Sequence, residues 1–92
     1  MTSRISAQVS LYPLRQARLT PVIDEAVTLF REAGLGVEPG CMSTVIVGDQ
    51  EVVFAAVQEV FRTAAAHGDV VMQVSFSNAC PLPTAAARPK AP

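Results

Sequence analysis

Residues Ile5 to Tyr12 alternate between apolar and polar positions: Ile5, Ala7, Val9 and Leu11 point one way, Ser6, Gln8, Ser10 and Tyr12 the other. A period of two predicts a strand with one face in a core. Pro13 has no N–H to add to a ladder and ends it. After a loop carrying Arg15 and Arg18, the pattern changes at Thr20-Pro21. A capping hydroxyl followed by proline suits the first turn of a helix. Val22, Ile23, Ala26, Val27, Leu29, Phe30 and Ala33 then form an apolar stripe, with Asp24, Thr28, Arg31 and Glu32 opposite. Asp24 and Glu25 lie near the positive end of the helix dipole. Gly34 is the expected left-handed cap.

The second half repeats this plan. Leu35 to Glu38 is a short extended arm, Pro39-Gly40 a turn, and Met42 to Gly48 a strand with a β-branched centre, Val45-Ile46-Val47. Gly48 lets the backbone bend, and Asp49 is placed to cap a second helix. Val53, Val57, Val60, Phe61 and Ala64 make that helix's apolar stripe, which ends at His67-Gly68. His67 is expected to favour the helix dipole and the last carbonyls. Asp69 to Ser77 reads as the last strand, with Val70, Met72, Val74 and Phe76 on one face and Val71, Gln73, Ser75 and Ser77 on the other.

Strand, helix, strand, strand, helix, strand is the α+β ferredoxin-like βαββαβ plan. It predicts a four-stranded antiparallel sheet with both helices on one face. Residues 1–81 are expected to form this single domain, and the Pro/Ala-rich stretch 82–92 a disordered tail. The other sheet face should show Ser6, Gln8, Ser10, Tyr12, Val71, Gln73, Ser75 and Ser77. From the middle strand, either Thr44 and Ile46 or Ser43 and Val45 join them. Thr44 and Ile46 are the expected pair, because Val45 and Val47 then lie under the helices. Such a face is polar but almost uncharged, which suits a surface whose polar groups find partners in a ligand or a facing subunit.

Composition narrows the classes. Half of the 92 residues are hydrophobic and the net charge is −1. So apolar a small domain is expected to bury further area between copies, as a homodimer or homotetramer. Without a positive footprint, nucleic acid is not an expected partner. No apolar run approaches the roughly 20 residues that cross a bilayer, and the first residues do not resemble a signal peptide. A cytoplasmic protein is expected. Cys41, Cys80 and the lone His67 make no metal-ligand spacing. The two thiols are expected to be free, because the topology sets their strands too far apart to bridge.

Three stretches resemble the YkoF-type family of thiamine and hydroxymethylpyrimidine-binding proteins: Ser10-Leu11-Tyr12-Pro13-Leu14, Met42-Ser43-Thr44-Val45-Ile46-Val47-Gly48, and Ser75-Phe76-Ser77-Asn78-Ala79-Cys80-Pro81. Val53-Phe54 fits as well, and the resemblance spans about Ile5 to Pro81. It implies ferredoxin-like domains that bind thiamine through its pyrimidine and serve uptake or salvage. The proteins for which the family is named carry two such repeats in one chain, whereas this chain has one; symmetric copies would restore the pair.

An aminopyrimidine offers ring-nitrogen acceptors, an amine donor and a flat apolar ring. Gln8, Ser10 and Thr44 can supply complementary donors and acceptors, and Tyr12, Met42 or Ile46 can cover the ring. Ser43, Ser77 and Asn78 complete the candidate ligand-binding set. Glu38 is the acid expected near a thiazolium. No catalytic residue, metal or cofactor is expected; thiamine or hydroxymethylpyrimidine enters as ligand. Each residue also has a plainer role: Ser10 and Thr44 can satisfy each other across an interface, Ser77-Asn78 can shape a turn, and Arg15 and Arg18 can be solvated charges. The alternative function is a small acylphosphatase-like enzyme using Arg15 and Arg18 for phosphate, although the third strand lacks an asparagine for it. No Ser–His, Cys–His or paired-carboxylate set converges. An RNA-binding sheet would need more aromatics than Tyr12.

Overall fold

The computed structural model describes residues 3–15 and 20–79. Its elements are β1 (Arg4–Pro13), α1 (Thr20–Glu32), β2 (Gly36–Pro39), β3 (Thr44–Asp49), α2 (Gln50–Ala65) and β4 (Val70–Ser77). The strands form one antiparallel sheet in the order β2-β3-β1-β4. This is the expected ferredoxin-like arrangement. The core joins Ile5, Ala7 and Val9 of β1 and Ile46 of β3 to Ala26 and Phe30 of α1 and to Val53, Ala56 and Val60 of α2. Both helices therefore cover the same side of the sheet. Residues 80–92, including Cys80 and the expected tail, lie outside the described residues, as does Arg18. Among the described residues no helix is long and apolar enough to cross a membrane.

Three local expectations change. Strand β3 starts at Thr44, not Met42, because Cys41–Ser43 is a bend that the Gly40 N–H closes by donating to the Ser43 carbonyl at 2.7 Å. Asp49 takes the extended cap conformation, but its side chain makes no cap hydrogen bond. The Gln50 N–H donates instead to the Ser3 carbonyl at 2.7 Å. Gly48 is needed for close approach rather than for bending: a Cβ there would collide with Leu35. Gly34 does occupy the left-handed region, at φ 87. His67 lies 2.9 Å through Nε2 from Oε1 of Glu25, so it also ties the end of α2 to α1.

The main correction concerns which way β3 faces. Ala7 pairs with Ile46, Val9 with Thr44 and Ile5 with Gly48. Directly opposed residues point to the same side of an antiparallel pair. Thr44, Ile46 and Gly48 therefore lie under the helices, and Ser43, Val45 and Val47 share the opposite face with Ser6 and Gln8. The expectation that Thr44 and Ile46 face out is overturned. The Gln8 side-chain amide donates to Ser43 Oγ at 3.0 Å and confirms the register. Two facts explain the choice. Ile46 is the larger side chain and fills the core, fully buried. Gly48, beside it, leaves the gap that Leu35 occupies. The opposite face is not uniformly bare either: Ser6 and Val47 are buried there, while Gln8, Gln73 and Ser75 are exposed.

Candidate functional site

A cavity of about 460 Å³ opens between α1 and the sheet. Helix α1 supplies Ile23, Ala26, Val27 and Phe30, which follow the stripe read from the sequence. The floor is Val9 and Leu11 of β1 and Thr44, the first residue of β3. Along the helix side of β3 the residues run Gly48, Ile46, Thr44. Leu35 packs over the first and the core closes on the second. Over the third the space is left open.

Two loops form the mouth. One is Gly40 to Ser43, leading into β3; the other is Tyr12, Pro13 and Leu14, leaving β1. The β1 side is anchored at long range. The Leu14 N–H donates to the Asp69 carbonyl at 2.9 Å. Arg15 follows at φ 53, a left-handed position that a residue with a Cβ adopts only at a cost of ~1–3 kcal/mol. Its guanidinium donates to Asp69 Oδ2 from Nε at 3.2 Å and from Nη2 at 2.5 Å. This bridge offsets part of that cost and fixes the rim. On the other side Met42 is 79% exposed, a flexible apolar side chain over the entrance.

The walls are apolar, and no charged side chain lines this cavity among the described residues. A buried charge would be poorly solvated here, whereas a neutral ring with a few hydrogen-bonding groups would not. A second, more polar depression of about 450 Å³ shares Ile23, Val27, Gly40 and Thr44 with the first. It carries charge, from Asp24 and Arg31.

Of the ten candidate site residues, Tyr12, Met42, Ser43 and Thr44 border the cavity, but the Ser43 hydroxyl turns to Gln8 on the opposite face and the alternation of β1 sends the Tyr12 side chain the same way. The others do not. Ile46 is completely buried in the core and cannot touch a ligand. Gln8 and Ser10 lie on the opposite sheet face, by the alternation of β1. Glu38 is exposed on that same face, opposite Val45. Ser77 pairs with Ser6, whereas Tyr12 at the cavity end pairs with Val71. Six residues of β1 separate the two, about 20 Å at ~3.4 Å per residue. Ser77 Oγ accepts a hydrogen bond from the Ala79 N–H at 3.1 Å, so Ser77 and Asn78 shape a turn. Arg15 is engaged by Asp69. Cys41 is exposed and free, at the mouth.

The sequence reading missed Val9, Leu11, Ala26 and Phe30 as lining because their spacing marks them equally well as core. It missed Asp24 because its side of the helix looks like plain solvent face. The available signal was Thr44, a lone hydroxyl in an otherwise apolar strand.

Fold and cavity together define a small ferredoxin-like domain with a recess between its first helix and its sheet. Residues 4–83 match the model of the YKOF-related family, so the chain belongs to that family. Solved structures agree in fold. A hypothetical protein from Methanocaldococcus jannaschii is 29% identical, with a TM-score of 0.74 over 80% of this chain and 78% of its own. A Bacillus cereus domain of unknown function is 18% identical, with a TM-score of 0.74 over 90% of this chain and 85% of its own. A Thermotoga maritima protein, described as a suggested thiamine biosynthesis/salvage protein, is 24% identical, with a TM-score of 0.71 over 79% and 81%. No match is found among curated proteins.

Proposed function

We propose that this chain is a non-catalytic, cytoplasmic binding protein for thiamine or its hydroxymethylpyrimidine moiety, serving uptake or salvage. The pyrimidine sits in the cavity between α1, β1 and β3, not on the open sheet face. One observation carries the reading: an apolar recess of about 460 Å³, without charged lining, placed where the family motif sets Tyr12, Met42, Ser43 and Thr44. Ligand sites of this kind are mostly apolar with a few placed polar groups. An aminopyrimidine is neutral, flat and small enough to enter. Thr44, on the helix side of β3, offers its hydroxyl to the ring nitrogens or amine. Phe30, Leu11 and Val9 offer apolar surface, and Met42 can fold over the ring. Family membership and the Thermotoga neighbour support a thiamine-related role.

If whole thiamine binds, its cationic thiazolium is best left at the mouth. Asp24, in the adjoining depression, is then the nearer acid and replaces Glu38 in that role. The acylphosphatase-like alternative loses support, because Arg15 is already held by Asp69 and β3 carries no asparagine.

Calorimetric titration with thiamine and with hydroxymethylpyrimidine tests the reading. Roughly micromolar binding is expected for at least one of them, about 8 kcal/mol. Ala26→Phe, which fills the recess, should abolish it while circular dichroism stays native. No heat from either ligand, or binding that survives Ala26→Phe in a folded chain, would sink the proposal.

A further inference from the structure

Helix α1 borders two hollows. The ridge of Ile23 and Val27 lines both the apolar recess and the second depression, and Gly40 and Thr44 line both from the strand side. The second alone is lined by Asp24, Thr28 and Arg31. A ligand seated at Thr44 can therefore continue from one hollow into the other along a shared wall.

The charges of the second hollow are not spent inside the fold. Arg15 and Arg62 are held by Asp69 and Glu59, and Glu25, next to Asp24, is met by His67. Asp24 and Arg31 make no ion pair among the described residues. They lie seven positions apart on α1, not at the i,i+3 or i,i+4 spacing at which charges on a helix pair. Seven residues of helix rise about 10 Å. That leaves room for a cationic group beside the carboxylate and an anionic one beside the guanidinium, with the Thr28 hydroxyl between them. Three environments thus share one ridge: an uncharged recess, a carboxylate and a guanidinium.

We propose that the ligand this site selects is a phosphomonoester, thiamine monophosphate, with its pyrimidine in the recess, its thiazolium beside Asp24 and its phosphate on Arg31. The inference rests on the thiamine reading above and narrows it. Thiamine monophosphate joins a neutral aminopyrimidine, a cationic ring and, on a two-carbon arm, a phosphate. Each part meets the lining that suits it. Thiamine itself would leave Arg31 unused, and hydroxymethylpyrimidine would leave both charges unused. Arginine presents a planar fork that can take two phosphate oxygens in parallel hydrogen bonds. Arg31 stands in the last turn of α1, where the helix dipole is negative. The backbone there repels an anion, so the guanidinium alone must hold the phosphate. Asp24 and Arg31 are exposed, so solvent and salt screen both contacts.

Calorimetric titration of the full chain with thiamine and with thiamine monophosphate decides it, the ratio of the two affinities being the readout. The monophosphate should bind about tenfold more tightly or better at low salt, and the gain should shrink as salt is added. Arg31→Gln should bring the ratio to about one. Arg31→Lys, which keeps the charge and loses the fork, should keep part of it. Asp24→Asn should weaken thiamine and its monophosphate more than hydroxymethylpyrimidine, which carries no cation. Equal affinities in the native chain overturn the inference and leave the thiamine reading standing. So does a preference that survives Arg31→Gln, since another group then reads the phosphate, or inorganic phosphate that binds as tightly as the monophosphate, since the recess then plays no part. A folded chain that binds none of these ligands overturns both.

Discussion

The two helices cover the same sheet face, yet α2 closes on it and α1 leaves a gap. Under α2, Val53 and Val60 meet Ile46 and Ile5 in a core from which solvent is excluded. Under α1, only Phe30 and Val22 are as deeply buried, and Ala26 faces a stretch of sheet holding Val9, Leu11 and Thr44. Two stripes of similar apolarity thus do different work. One hides area from water within the fold; the other leaves area for something else to hide. What separates them is the β3 residue beneath each, an isoleucine in one case and a threonine in the other.

Emptying the closed side should have the largest effect. Ile46→Ala removes buried methyl groups where neighbours are fixed, and should cost about 2–5 kcal/mol. At 4–8 °C per kcal/mol for so small a domain, the unfolding midpoint should fall by ~8–40 °C. A drop of only a degree or two in a thermal melt would mean the core beneath α2 is as loose as the recess. On the open side the order reverses. Thr44→Val keeps the shape but removes the hydroxyl, so stability should hardly change, while ligand binding weakens by about 1–3 kcal/mol. Equal affinity for the two chains in calorimetry would take Thr44 out of the site.

Gly48→Ala probes the boundary between the two regions. Its Cβ must displace Leu35, which is buried but can shift the end of its side chain, so an overpacking cost of about 1–3 kcal/mol is expected from chemical denaturation. Asp69→Ala should have the smallest effect. Its partner Arg15 is largely exposed, and exposed ion pairs contribute under ~1 kcal/mol. A few-fold loss of ligand affinity with unchanged stability would show that the bridge matters for the rim rather than for the fold.

The comparison also explains how far the sequence could be read. Alternation in Ile5–Tyr12 and Val70–Ser77 has one apolar and one mostly polar set, and both strands face as expected. Thr44-Val45-Ile46-Val47-Gly48 has apolar residues at both phases, so period two could not choose, and preferring two valines over one isoleucine set the strand the wrong way round. That single inversion moved Thr44 from the open face into the recess and displaced Gln8, Ser10 and Glu38 from the candidate site. The recess itself had no signature. Ala26 looks like any other core residue of its stripe, and only the packing of other elements decides that space remains beside it. The motif stretches at Tyr12 and Met42–Thr44 lie at the end of the sheet where the recess opens, whereas the third, Ser75–Asn78, lies at the other end.

The bridge from Leu14 and Arg15 to Asp69 spans more than fifty positions of chain. A polypeptide emerging from the ribosome therefore holds both walls of the recess well before it can set the entrance. The recess gains its fixed entrance only with the closing strand, so a partial chain lacks it.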